Sequence, residues 1–130
     1  MALQVAVAKG EYGAYKVKLT GSLDSDTYQQ FDAALEEVYA DELSRAIRLE
    51  IEDLQYISSM GLGSIVKAKK AMHARGGVVT IIGAQPQVAK VFEIVRVLPK
   101  EAVFATREEA DAYLMAIQKR VVEEQGDSSR

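Results

Sequence analysis

The chain has 130 residues, 48% hydrophobic and 27% charged, with a formal net charge of −3. This suits one globular domain with a real core and is too short for two ordinary ones. The acidic balance gives no electrostatic basis for binding nucleic acid, the lack of cysteine excludes disulfides and thiolate chemistry, and no apolar run approaches the roughly 20 residues of a membrane span. Met1-Ala2-Leu3-Gln4 has no signal-peptide character, so a cytoplasmic location is expected.

Leu3, Val5 and Val7 alternate with Gln4, Ala6 and Ala8, which predicts a first strand. Two glycines in Lys9-Gly10-Glu11-Tyr12-Gly13 mark a turn, and Tyr15, Val17 and Leu19 alternate in a second strand antiparallel to the first. Gly21 to Asp26 ends that strand. A helix starts at about Ser25, capped by Asp24 or Ser25, with Tyr28, Phe31, Leu35 and Val38 as its apolar stripe. Ala46–Ile51 is a half-buried third strand, followed by a polar break at Glu52-Asp53-Leu54-Gln55.

The second helix is expected from Ser59 to about Arg75, with Leu62, Ile65, Val66 and Met72 inward and Lys67 and Lys70 facing water; Gly76-Gly77 stops it. Val78–Ile82 is continuous and β-branched, which predicts a strand buried on both faces. Pro86 opens a third helix with Val88, Val91, Phe92 and Val95 inward, ending at Val97-Leu98-Pro99. Ala102-Val103-Phe104 is a brief strand, and Thr106 caps a last helix from Arg107 to about Val122. A single domain over residues 1–122 and a polar, mobile tail over 123–130 are expected. After the first hairpin, strands and helices alternate, which implies an α/β fold: a mixed, mostly parallel sheet of about five strands with four helices packed against it.

Two adjacent serines, Ser58 and Ser59, fall where the third strand gives way to a helix. A hydroxyl there can cap free backbone N–H groups, and the same place tolerates an added anion. The simple reading is a cap, and the two roles are compatible if Ser58 caps and Ser59 reacts. Gly61-Leu62-Gly63 does not complete a nucleotide-binding glycine loop and fits close packing of the helix start. His73 is the only histidine, with no metal-ligand companions in spacing. Asp24 with Asp26, and Glu50 with Glu52 and Asp53, have no histidine or lysine that sequence would place beside them, so they read as capping and surface groups. No catalytic set, metal site or cofactor is expected.

Several stretches carry a family likeness: Leu19-Thr20-Gly21-Ser22-Leu23-Asp24, Leu49-Glu50-Ile51 leading through Tyr56-Ile57 into Ser58-Ser59-Met60-Gly61-Leu62-Gly63, Val79–Gly83 followed by Val88–Phe92, and Val103–Ala110. From about residue 3 to 118 the chain resembles the STAS domain, most closely the stand-alone bacterial anti-sigma factor antagonists. The resemblance implies a regulator, not an enzyme. In such proteins a serine at the start of the second helix is phosphorylated by an anti-sigma factor that is a serine kinase with a histidine-kinase-like ATP fold. The unphosphorylated form binds that kinase and frees its target, and a PP2C-type phosphatase resets the switch. The usual motif places an aspartate before the acceptor serine. Aligned on Gly61-Leu62-Gly63, the acceptor is Ser59 and Ser58 replaces the aspartate, with Ser58 the less favoured acceptor. The partner-binding surface implied is Gly21, Ser22, Leu23, Asp24, Tyr56, Ile57, Ser58, Ser59, Met60, Gly61, Leu62 and Gly63, with the exposed side of the second helix.

Physically, a phosphate on Ser59 would sit on a helix N-terminus, so it should spare that helix and damage any interface formed over it. Two alternatives stand beside this: an unphosphorylated STAS subunit of a lipid or solute transport complex, and a module that senses a small molecule or nucleotide. A homodimer could form through the first strand if its edge is open.

Overall fold

The alternation near the start of the chain is realised as a hairpin. In the computed structural model, which describes residues 2–97 and 106–128, β1 (Leu3–Lys9) pairs antiparallel with β2 (Ala14–Leu23), Leu3 opposite Gly21 and Lys9 opposite Tyr15. The turn closes with the Ala14 N–H donating to the Glu11 carbonyl at 3.1 Å, across Tyr12 and Gly13 at φ 58° and 77°. Two positive φ values make the mirror-image turn whose twist suits a hairpin.

β2 then pairs in parallel with β3 (Ala46–Ile57), and β3 in parallel with β4 (Val78–Ile82), giving the order β1-β2-β3-β4. Because the chain steps from β2 to β3 to β4 in one direction, right-handed crossovers bring their helices to one face of the sheet. That face holds Val17, Leu19 and Leu23 of β2 and Leu49, Ile51, Leu54 and Ile57 of β3, all at most 1% exposed. Packed with them in one core are Phe31, Leu35, Val38, Ile65, Met72, Val88, Val91 and Leu114 from the helices. Lys16, Lys18, Arg48 and Glu52, at alternate strand positions, stay exposed.

The expected α/β architecture with a mixed, mostly parallel sheet is observed, with four strands among the described residues. The strand expected at 102–104 and the helix stop at Leu98-Pro99 lie outside them. Several boundaries differ. β2 runs through Gly21-Ser22-Leu23 instead of ending there, and β3 continues across the supposed polar break to Ile57. The reason is two register shifts between β2 and β3, at Lys18/Thr20 and at Gly21/Ser22. Each bulge adds a residue to β3, so the buried positions step from 47, 49 and 51 to 54 and then 57. A period of two cannot see a strand that slips phase twice.

The first predicted helix is divided into α1 (Tyr28–Ala34) and α2 (Glu36–Ala40) by a tightened turn at Leu35, whose N–H is shared between the Phe31 and Asp32 carbonyls. Its stripe is as expected: Phe31, Leu35 and Val38 are buried and Tyr28 half-buried. α3 (Ser59–Ala74) turns Gly61, Ser64, Ile65, Ala68 and Met72 inward; Val66, expected in that stripe, is 39% exposed. β4 is not buried on both faces: Val79 and Ile81 pack against the core, while Val78 at the alternate position is 59% exposed. α4 (Pro86–Val97) buries Val88 and Val91, while Val95 stands partly in solvent. In α5 (Arg107–Ser128) the Thr106 hydroxyl accepts the Glu109 N–H at 3.1 Å, and the helix continues through residues 123–128, which were expected to be tail.

Candidate functional site

The two stretches singled out in the sequence are brought together by the β2–β3 ladder. Ser22 lies opposite Tyr56 and Leu23 opposite Ile57, and the Ser58 N–H donates to the Leu23 carbonyl at 2.9 Å. Parallel strands therefore deliver the ends of β2 and β3 to the same edge of the sheet, where α3 begins. The packing there requires a glycine at 61: a Cβ would come within 2.4 Å of the Leu23 carbonyl oxygen. Gly21, at φ 107°, similarly lies against the Ala2 carbonyl.

At the entry to α1, Asp24 Oδ1 accepts the N–H groups of Asp26 (2.9 Å) and Thr27 (3.1 Å). Thr27 Oγ1 accepts the Asp24 N–H at 2.9 Å and donates to the Ser22 carbonyl at 2.8 Å. The helix expected from Ser25 starts instead at Tyr28, with Thr27 at its N-cap position and no side-chain cap bond; of the two residues expected to cap it, Asp24 ties the preceding turn. Its carboxylate is committed to the backbone.

The two serines have different environments. Ser58 is 3% exposed and caps α3, its Oγ accepting the Gly61 N–H at 3.3 Å. Ser59 is half-buried, and its Oγ lies 2.5 Å from Asp111 Oδ1, which also accepts the Ser59 N–H at 3.0 Å. A shallow hollow of about 220 Å³ opens beside Ser59, lined by Tyr28, Asp32, Met60, Gly63, Ser64 and Lys67. Lys67 stands 3.9 Å from Asp32 there. Burial, followed by the carboxylates of Asp111 and Asp24, raises the Tyr56 hydroxyl above its usual pKa. The surroundings of Ser59 are thus weakly negative on the α5 side, with a lysine on the other.

Not all of the predicted surface can meet a partner. Ser22, Leu23, Ile57, Ser58 and Gly61 are buried and form its scaffold. Gly63 is exposed, and Gly21, Asp24, Tyr56, Ser59, Met60 and Leu62 are intermediate. His73 is exposed on α3, and among the described residues no three His, Cys, Asp or Glu side chains gather as a metal site.

Sequence reasoning missed the contribution of α5. Asp111, Leu114 and Gln118 lie on one helical face, and Gln118 holds the end of β3 by accepting the Ile57 N–H at 2.9 Å and donating to the Ile57 carbonyl at 2.8 Å. The spacing i, i+3, i+7 could have marked an inward face. Nothing local distinguishes Asp111 from Glu108 and Glu109 before it.

The STAS domain family matches residues 6–110, and the chain belongs to that family. Among curated relatives, the anti-sigma-B factor antagonist of Staphylococcus aureus is 31% identical over 80 residues, covering 62% of this chain and 73% of that protein. Among solved structures, the anti-sigma factor antagonist SpoIIAA in its unphosphorylated form superposes with a TM-score of 0.61 at 20% identity, covering 86% of this chain and 98% of that one. SpoIIAA of Bacillus in its phosphorylated form gives a TM-score of 0.60 at 24% identity, covering 82% and 96%. At such identities the structural likeness establishes the fold.

Proposed function

We propose that this protein is an anti-sigma factor antagonist acting in the cytoplasm by reversible binding, without catalysis of its own, and that phosphorylation of Ser59 gates the binding. The observation that carries this reading is the asymmetry of the two serines: Ser58 is buried as a cap, while Ser59 borders an open hollow between α1 and α3. The name of the S. aureus relative supports the choice of partner class. The partner is an anti-sigma factor with a histidine-kinase-like ATP fold. It transfers the γ-phosphoryl group of ATP to Ser59 Oγ; the new Oγ–P bond forms as the bond to ADP breaks, and the hydroxyl proton is released. A PP2C-type phosphatase reverses the modification.

The added charge, about −1.5 to −2, lies at the N-terminus of α3, where the helix dipole accommodates it. The same charge must be desolvated in any interface built over that helix, so binding is lost while the fold is kept. The first experiment is the mass of the Ser59 peptide from native cells, before and after phosphatase treatment. A removable phosphate on Ser59 supports the switch. An unmodified Ser59 under several growth conditions, with a partner co-purifying, refutes gating at this site. Ser59→Ala is expected to bind the partner constitutively in a pull-down with ATP present.

One observation favours a second reading, a small-molecule sensor. An apolar hollow of about 490 Å³ lies between α3, β4 and α4, lined by Leu62, Ile65, Ile81, Phe92 and Val95 with Lys69 and Arg96. That volume is within the usual range for ligand sites. A ligand-dependent rise in melting temperature would favour this reading.

A further inference from the structure

Ser59 is held by a carboxylate from the far end of the chain. Asp111 Oδ1 accepts both the hydroxyl of Ser59, at 2.5 Å, and its N–H, at 3.0 Å. The same face of α5 then buries Leu114 and anchors Gln118 on both backbone groups of Ile57. Of these three attachments, only the one at Asp111 depends on the chemical state of Ser59. We infer that the Ser59–Asp111 pair is an electrostatic latch, and that a phosphoryl group on Ser59 Oγ opens it and releases the N-terminal turns of α5. The inference rests on the phosphorylation reading above.

The chemistry dictates the direction. In the unmodified protein a hydroxyl donates to a carboxylate, a charge-assisted hydrogen bond of the strong kind. Phosphorylation removes that hydrogen from Oγ and adds three oxygens that only accept at neutral pH, facing a carboxylate that also only accepts. Two like charges then stand within a few ångströms, and of the two Ser59 donors to Asp111 only the N–H, at 3.0 Å, is left for the carboxylate and the phosphate to share. The phosphate is the member that stays, because it is covalently fixed to the first residue of α3 and favoured by that helix terminus. It also has open space on its other side, where Gly63 leaves the hollow unobstructed and Lys67, 3.9 Å from Asp32, can turn toward the phosphate. Asp111 is the member that leaves. Gln118, two turns on, keeps the remainder of α5 on the end of β3. The switch surface therefore changes in two ways at once, by the charge on α3 and by withdrawal of the α5 segment beside Tyr56.

The test uses the full chain with phosphoserine installed at position 59 by genetic encoding, so no kinase is needed. Amide hydrogen exchange is compared for the Asp111–Gln118 segment in the unmodified and phosphoserine proteins, each with and without Asp111→Asn. Phosphoserine is expected to speed exchange there at least tenfold while β3 and α3 stay protected. Asp111→Asn is expected to suppress the increase, since its amide can donate to the phosphate. Unchanged α5 exchange on phosphorylation, an equal increase in the Asp111→Asn protein, or loss of protection throughout the sheet each overturns the latch. These results are separable from the cellular question: an unmodified Ser59 in native cells defeats the phosphorylation reading whatever the exchange shows.

Discussion

Ser22 and Gly61 show how single positions build the scaffold beneath Ser59. Ser22 is 1% exposed and its hydroxyl has no hydrogen-bond partner among the described residues. A buried unpaired hydroxyl costs its desolvation with no return, so Ser22→Ala should leave stability unchanged or raise it by about 1 kcal/mol in urea unfolding. Gly61 behaves oppositely. The obstacle to a Cβ is the backbone of Leu23, with its carbonyl oxygen 2.4 Å and carbonyl carbon 2.9 Å away, so no rotamer change can relieve it. Gly61→Ala should cost on the order of 2–3 kcal/mol in the same measurement. It should also displace Ser59, because the start of α3 must back away from β2.

At the scale of elements, α5 joins the site through two polar side chains, Asp111 and Gln118, and the buried Leu114 between them. Gln118 is 3% exposed and satisfies the Ile57 N–H and carbonyl together, while Leu114 is the one hydrophobic residue of α5 in the buried core of the described residues. Removing the amide strands two buried backbone groups at the end of β3. Gln118→Ala is therefore expected to cost about 2–3 kcal/mol, more than the packing of a glutamine stem would suggest. Hydrogen exchange should show the loss concentrated in α5 and the last residues of β3, with β1 and the first half of β2 little affected.

Across the whole molecule, Asp41 at the end of α2 ties both strands of the hairpin to the helical layer. Tyr15 on β2 donates to Asp41 Oδ2 at 2.6 Å, and Asp41 also accepts the Leu43 N–H and pairs with Lys9 at 3.2 Å. The bond to Asp41 is the main reason the Tyr15 hydroxyl is pushed up to about 12, and the bond from Tyr15 is the main reason Asp41 is held down at about 2. Asp41 is depressed, so its contribution is present above the unfolded value near 3.8 and is lost as pH falls toward 2. Tyr15 is raised, so its contribution is full below pH 10 and is lost as pH climbs from 10 through 12. Melting temperature should therefore fall at both extremes. Tyr15→Phe should weaken both dependences without abolishing the alkaline one, because burial pushes Tyr39 to about 12 as well.

Much of the fold was legible in the chain alone, because burial repeats with the period of the element that carries it. Phe31, Leu35 and Val38 marked a helix, and Val17 and Leu19 a strand. The Ser58-Ser59 junction stood out because a capping residue type met a change of period. Where the period itself slipped, at the two bulges in β3, the reading failed and Glu52–Gln55 of that strand was taken for a break. β4 was misjudged because apolar composition cannot say that only its Val79 and Ile81 face is packed against the core. Local pattern thus determines which segments form and which serine can cap. It cannot show that Asp111, 52 residues beyond Ser59, supplies the carboxylate there. That depends on where α5 docks, and Leu114 and Gln118 set its position by burial and backbone pairing with residues far away in sequence.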